Sequence, residues 1–150
     1  MIRKALQRDV KFIHQLLAKY GREGELLARP LTEIYEFLRD FVVAEDADGE
    51  LVGVCSLHLV WEDLAEVRSL AVVQEAQGQG WGGRLVETCL SEAVTLGFVK
   101  VFALTYRPGF FARLGFKEVD KQKLPNKIWA DCVKCVKFPD CDEIAMLQEF

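Results

Sequence analysis

The chain has 150 residues, a formal net charge of −4 and 51% hydrophobic residues, as expected for one globular domain over residues 1–150 with a buried core. The net negative charge gives no reason to expect a basic face that binds nucleic acid. No apolar run is long enough to span a membrane. Charged residues near the N-terminus interrupt the apolar stretch that a signal peptide would need. We therefore expect a cytoplasmic protein whose five cysteines are thiols.

The first half of the chain predicts one short strand, two helices and a three-stranded meander. Asp9 can cap the first helix, which runs to Tyr20 and is followed by glycines. Periodic apolar residues predict the second helix over residues 29–41. The strands have short apolar or alternating patterns bounded by turn residues. They cover residues 2–6, 41–46, 50–61 and 66–73.

The second half predicts two helices and two further strands. The helix over residues 84–97 has a continuous apolar face and ends at Gly97, where a left-handed glycine commonly follows a helix. A short helix precedes Gly115, and strands are predicted over residues 98–105 and 127–138. The order β-α-α-β-β-β-α-β-α-β predicts an α/β protein with a mixed sheet and helices on its faces.

The sequence QGQGWGG, residues 77–83, contains two overlapping glycine spacings. One is G-x-G-x-x-G, the dinucleotide fingerprint, which normally follows the first strand and precedes an acidic residue about 20 positions later. Here the loop follows four strands, and the next strand ends at Leu104 and Thr105 without a carboxylate. The spacing therefore does not predict a nicotinamide site.

The same loop suits an anion at the start of a helix. Glycines let backbone N–H groups approach a phosphate, and the helix directs its positive end toward it. Four glycines in six residues would weaken a turn that had no ligand to bind. The pattern alone predicts an anion site, to which Arg84 could add a cation.

The segment LAVVQEAQGQGWGGRLV resembles the central motif of the GCN5-related N-acetyltransferases (GNAT), and FFARLGF resembles a later motif of that family. The resemblance implies a mostly antiparallel central sheet with helices on both faces and a strand that splays from its neighbour before the loop. It also implies acetyl-CoA as cosubstrate, without a metal. The residues that would contact it are Leu70, Ala71, Val72, Val73, Gln77, Gly78, Gln79, Gly80, Trp81, Gly82, Gly83 and Arg84.

Acetyl transfer from a thioester to an amine needs an acceptor for the amine proton and a donor for the leaving thiolate. Glu66, at the start of the strand before the loop, could relay the proton through water, although a solvated carboxylate would also suit this position. The tyrosine that many family members use as the acid corresponds to Phe111, which cannot donate. Tyr106 could replace it, or the thiolate could leave unassisted.

The whole chain looks most like the acetyltransferase domain of N-acetylglutamate synthases, which implies glutamate as acceptor. Stretches such as GELLARP and AEVRSLAV carry this resemblance. It implies that Arg29 binds a carboxylate and that Ser69 and Thr105 face the substrate. A late lysine would bind the second carboxylate, and the candidates are Lys127, Lys134 and Lys137.

Several alternatives stay open from the sequence. The acceptor could be another amino acid, a polyamine, an antibiotic or a protein N-terminus, or the chain could be a noncatalytic acyl-CoA sensor. Trp61 and Trp129 could anchor a homodimer. Long synthases carry an arginine-sensing kinase-like domain that these 150 residues do not resemble. Three late cysteines lack an obvious fourth zinc ligand, so we expect no metal site at Cys132, Cys135 and Cys141.

Overall fold

A computed structural model describes residues 1–124 and 142–150 of the chain. These residues form one seven-stranded sheet in the order β1-β2-β3-β4-β5-β7-β6. The strands are β1 Ile2–Lys4, β2 Phe41–Glu45, β3 Leu51–Trp61, β4 Leu64–Val72, β5 Lys100–Thr105, β6 Lys117–Val119 and β7 Ile144–Glu149. The α-helices are α1 Val10–Arg22, α2 Leu31–Glu36, α3 Trp81–Thr95 and α4 Pro108–Arg113.

The pairing of the strands is antiparallel except between β4 and β5. Because parallel neighbours need a crossover connection, α3 lies between these two strands in sequence and packs across the sheet. The predicted mixed, mostly antiparallel sheet is confirmed.

Helices cover both faces of the sheet, as predicted. The apolar side of α3 and Phe111 of α4 pack on one face, and buried residues of α1 together with Ile34 of α2 pack on the other. The apolar faces of the helices therefore decide which side of the sheet each one covers.

A β-bulge changes the direction of the side chains in the middle of β4. Val54 pairs with Ala71, whereas Ser56 pairs with Arg68, so two residues of β4 oppose the single residue Cys55 of β3. Ser69 lies at this point with a φ of 59°, in the left-handed region that non-glycine residues rarely adopt. The bulge inverts the alternation, because Val67 packs on the side of α3 while Ala71, four residues later, packs on the side of α1 and α2.

Beyond Glu66, β4 separates from β5. The two strands pair only where Ala65 meets Val101 and Glu66 meets Phe102. Since β4 continues to Val72 and β5 to Thr105, a cleft opens between their carboxyl ends. This is the splayed strand that the sequence predicted.

The structure corrects several predicted boundaries. The second helix is not continuous over residues 29–41, because it ends at Glu36 and a separate 3-10 turn covers Leu38–Asp40. The first helix continues past Gly21 to Arg22. Strands β6 and β7 were not predicted, and the strand predicted over residues 127–138 lies outside the described residues.

Asp9 precedes α1 as predicted, but its side chain does not cap that helix. Its carboxylate instead accepts hydrogen bonds from Arg3 Nη1 at 2.7 Å and from the Leu6 N–H at 2.7 Å. Burial alone would raise the pKa of Asp9, but these hydrogen bonds outweigh it and hold the pKa below its usual value. Asp9 thus ties β1 to the start of α1.

Cys55 and Cys89 are completely buried free thiols, as predicted. A hydrogen bond with Cys89 and burial both raise the pKa of the Cys55 thiol well above its usual value, which keeps it protonated near neutral pH. Trp61 is 56% exposed at the end of β3, whereas Trp129 lies outside the described residues. No helix in the described part of the chain is long and apolar enough to cross a membrane.

Candidate active site

The glycine loop connects the end of β4 to the first turn of α3. Gly78 and Gly80 have φ values of 80° and 85°, and Gly80 is the N-cap residue of α3. Both values lie in the left-handed region where glycine is strongly favoured, and a Cβ at either position would meet no atom within 4 Å. The backbone conformation therefore favours glycine at both positions. The space that a Cβ would enter is open at each.

Gly82 and Gly83 have a different role, since both lie within α3. A Cβ at Gly82 would be 3.4 Å from Phe110 Cζ, and one at Gly83 would be 3.6 Å from Leu114 Cδ2. An added Cβ would make only ordinary van der Waals contact at either position, so α4 packs against the first turn of α3 without requiring a glycine there. The helix begins at Trp81, three residues earlier than predicted.

The first turn of α3 has the properties of an anion site. It carries no acidic residue and no side-chain cap, so its first N–H groups stay available to a ligand. The exposed Arg84 guanidinium lies 4.5 Å from the centre of the Trp81 ring, a cation–π distance. A cation and the positive end of a fifteen-residue helix thus meet at the loop.

The end of β4 presents alternate backbone groups to the cleft. The N–H of Val73 donates to the Val52 carbonyl at 2.8 Å, and in an antiparallel pair such bonds alternate along the strand. Ala71 therefore also bonds toward β3, while the backbone N–H and carbonyl of Val72 face away from it. Of the four residues predicted on this strand, Val72 directs its backbone toward the cleft, whereas Leu70 lies in the β-bulge, where the alternation is interrupted.

Tyr20 closes one side of this strand end, a role that the sequence did not reveal. Its hydroxyl donates to the Val72 carbonyl at 2.6 Å and accepts from Gln77 Nε2 at 2.9 Å. Gln77 Nε2 also donates to the Val72 carbonyl at 3.1 Å. The Gln77 side chain thus fixes the loop to α1 and β4.

A polar pocket lies where the segment before α2 meets β3 and β4. Arg29 Nη1 donates to Glu33 Oε1 at 3.3 Å, and Arg68 Nη2 lies 3.9 Å from the same oxygen. Arg29 Nε is buried and has no hydrogen-bond partner among the residues that the structure describes. The polar residues that line the pocket are Arg29, Glu33, Asp40, Ser56, Arg68 and Ser69.

Glu66 borders this pocket on β4. Its carboxylate lies 3.7 Å from Arg68 Nη1 and its side chain is 13% exposed. In the sheet register Glu66 is opposite His58, whose Nδ1 is 2.9 Å from an Asp40 carboxylate oxygen. The predicted carboxylate therefore lies within a group of charged side chains and does not extend freely into solvent.

Thr105 and Tyr106 lie at the end of β5, on the other side of the cleft. The Tyr106 hydroxyl donates to Asp142 Oδ1 at 2.7 Å, and the Thr105 hydroxyl oxygen accepts from the Arg107 N–H at 2.8 Å. Arg107 also reaches across to Glu25 in the segment after α1, at 3.0 Å. Phe111 is 6% exposed and packs in the core.

The structure thus brings Arg29 and Ser69 into one pocket beside Glu66, and it places the glycine loop at the open end of the cleft. Sequence reasoning missed Arg68 and Glu33. The spacing of each offered a signal, because Arg68 follows Glu66 by two residues on one strand and Glu33 follows Arg29 by four. Lys127, Lys134, Lys137 and the three late cysteines lie outside the described residues.

Comparison with known proteins gives consistent matches over most of the chain. A model of the GNAT acetyltransferase domain matches residues 38–118. An uncharacterised N-acetyltransferase of Chlorobaculum tepidum is 42% identical, over 98% of this chain and 94% of its own length. An amino-acid acetyltransferase of Mycobacterium tuberculosis is 39% identical, over 80% of this chain and 70% of its own length.

Solved structures agree with these sequence matches. An M. tuberculosis protein in complex with CoA is 32% identical, with a TM-score of 0.85 over 100% of this chain and 99% of that one. The N-acetylglutamate synthase of Neisseria gonorrhoeae, complexed with coenzyme A and N-acetyl-glutamate, is 27% identical, with a TM-score of 0.90 over 99% of this chain and 34% of that one. The chain belongs to the GNAT acetyltransferase family and is an acyltransferase.

Proposed function

We propose that this enzyme transfers the acetyl group of acetyl-CoA to the α-amine of L-glutamate. The observation that carries the acceptor assignment is Arg29, because its Nε donor is buried without a partner among the described residues. A buried donor of this kind costs about 1–3 kcal/mol until a ligand satisfies it. A carboxylate is the ligand that matches a guanidinium best.

Acetyl-CoA is the acyl donor, and the glycine loop fits its pyrophosphate. The N–H groups of Gly80, Trp81 and Gly82 would hold the phosphates at the start of α3, with Arg84 as a counter-ion. The outward N–H of Val72 would pair with the pantetheine arm along the open edge of β4, with Leu70 beside it, since the Val72 carbonyl already accepts from Tyr20 and Gln77. The cosubstrate supplies the activated thioester, and the cleft between β4 and β5 directs it toward the acceptor pocket.

The acceptor would bind on the α2 side of β4. Arg29 and Arg68 would hold a carboxylate, with the Ser69 hydroxyl at the pocket wall. The N. gonorrhoeae synthase, whose structure contains N-acetyl-glutamate, and the amino-acid acetyltransferase of M. tuberculosis support an amino-acid acceptor. We keep Lys127 as the proposed cation for the second carboxylate.

Glu66 and Tyr106 would move the protons. The Glu66 carboxylate, beside the acceptor pocket, would accept the amine proton through water, because only the neutral amine is a nucleophile. Tyr106, at the end of β5, would donate to the departing thiolate after its hydroxyl turns away from Asp142, whose carboxylate accepts its proton in the described structure. Thr105 would contribute its hydroxyl to the substrate side of the cleft.

The charge balance of the described pocket favours a second candidate acceptor, an amino acid with a neutral side chain. Two guanidinium groups, of Arg29 and Arg68, face the three carboxylates of Glu33, Asp40 and Glu66. These side chains sum to one negative charge, so each further substrate carboxylate adds repulsion, whereas a neutral substrate side chain adds none. Glutamine is the closest such acceptor in shape to glutamate.

Arg29 variants test the proposal in an assay of thiol release with glutamate as acceptor. Arg29→Ala should raise KM for glutamate by about 10- to 150-fold, which corresponds to one charged hydrogen-bonded contact of about 1.5–3 kcal/mol. Arg22→Ala is the matched control, because Arg22 is exposed at the end of α1. Equal KM values for the two variants would contradict the acceptor site.

A further inference from the structure

The Glu33 side chain occupies the position between the two arginines of the acceptor pocket. A single oxygen, Oε1, lies 3.3 Å from Arg29 Nη1 and 3.9 Å from Arg68 Nη2. The Arg29, Glu33 and Arg68 side chains are 17%, 28% and 11% exposed. The carboxylate of the protein itself therefore stands where a ligand carboxylate would bind.

Glu33 engages these guanidinium groups weakly. Hydrogen bonds between ionised groups are usually about 2.7–2.9 Å long, and arginine commonly binds a carboxylate through two parallel bonds. Here Arg29 makes one bond of 3.3 Å, and its Nε stays without a partner among the described residues. A ligand carboxylate that used both groups of the fork would bind Arg29 better than Glu33 does.

The position of Glu33 allows it to move away. It lies in the first turn of α2, one helical turn after Arg29, and it is the most exposed of the three side chains. A change in its side-chain torsions would carry the carboxylate toward solvent without a change in the backbone.

We propose that Glu33 sets the affinity and selectivity of the acceptor site, as an internal carboxylate that the carboxylate of the acceptor must displace from Arg29 and Arg68. This inference rests on the proposed function, because it takes this pocket as the acceptor site. While the pocket is empty, Glu33 supplies one negative charge between the two guanidinium groups, and Glu66 lies beside Arg68. A ligand without a carboxylate cannot replace it, so such ligands are rejected.

The alternative role for Glu33 predicts a change of opposite sign. If Glu33 only orients Arg29 for the substrate, its removal would weaken carboxylate binding. If it competes with the substrate, its removal would strengthen binding. A measurement of affinity therefore separates the two roles.

The test is calorimetric titration of the full chain with glutarate, a dicarboxylate that has no amine to acetylate. Glu33→Gln should bind glutarate about tenfold more tightly than the wild type, a change of about 1.4 kcal/mol. Glu36→Gln is the matched control, because it removes the same charge from an exposed position of the same helix. It should change the affinity less than twofold, since solvent and salt screen distant charges.

Unchanged or weaker binding by Glu33→Gln would overturn the proposal, as would the absence of glutarate binding in both proteins. Thermal unfolding checks that the variant folds. If Glu33→Gln does not fold, Glu33→Asp is the second variant. It keeps the charge but moves it back by one methylene, so its affinity for glutarate should lie between that of the wild type and a tenfold gain. Tighter glutarate binding together with no acetylation of glutamate would reject the proposed acceptor and leave the role of Glu33 intact.

Discussion

Substitution of Gly80 by alanine tests whether the glycine loop is built for a ligand. Gly80 has a φ of 85°, and Gly49, in the turn between β2 and β3, has a φ of 79°. A Cβ would meet no atom within 4 Å at either position. Gly80→Ala and Gly49→Ala therefore introduce the same backbone strain without a steric clash, and Gly49 lies outside the cleft.

The strain of an alanine in the left-handed region is about 1–2 kcal/mol. For a chain of this size each kcal/mol lowers Tm by about 2–4 °C, so both variants should melt about 2–8 °C below the wild type. Only Gly80→Ala places a methyl group in the space in front of the α3 N-terminus. Loss of one charged hydrogen bond there, about 1.5–3 kcal/mol, should weaken acetyl-CoA binding by about 10- to 150-fold.

Calorimetric titration with acetyl-CoA and thermal unfolding measure both effects on the same samples. We expect similar Tm values for the two variants and a weaker Kd for Gly80→Ala alone. If Gly80→Ala binds acetyl-CoA as tightly as Gly49→Ala does, the loop does not hold the cosubstrate. If both variants bind weakly, the effect comes from stability and not from the loop.

Three further substitutions test the chemistry and the stability. Glu66→Gln should lower kcat for acetyl transfer by about 10²- to 10⁴-fold, the range for a lost general base, with an unchanged Kd for acetyl-CoA; a change below threefold would exclude Glu66. Tyr106→Phe should lower kcat within the same range, and a normal rate would mean that the thiolate leaves unassisted. The pKa of Asp9 is held below its ordinary value of 3.8, so Asp9 stabilises the fold above pH 3.8 and this contribution is lost as pH falls through the lowered pKa. The free energy of unfolding from urea titrations should therefore fall less steeply at acid pH for Asp9→Asn than for the wild type. An equally steep fall in both proteins would contradict the role of this ion pair.

The elements that the sequence predicted best have strong local patterns. Five buried residues of α3 repeat with helical spacing, and Gly97 has the positive φ of 91° expected after a helix. The unpredicted strands lack such patterns, because β6 has three residues, two of them exposed, and β7 is short and mixed in composition. Both form through tertiary pairing, since β7 lies between β5 and β6.

The candidate site was predictable in part for the same reason. The glycines of the loop have a local conformational cause, so their spacing alone was enough to predict a candidate anion site at the start of α3. The ion pairs of the pocket depend on distant elements, because Glu33 of α2 meets Arg68 of β4 only in the folded chain. In the sequence, Tyr20 likewise fits the apolar face of the first helix. Only the folded structure places its hydroxyl at the end of β4.

The central claim is that the chain acetylates the α-amine of glutamate. The most direct measurement is thiol release from acetyl-CoA by the purified protein across the twenty amino acids, with the mass of each product determined. We predict turnover with glutamate and a product heavier by one acetyl group. Turnover with another amine alone, or acetyl-CoA binding without any acetylated product, would contradict it.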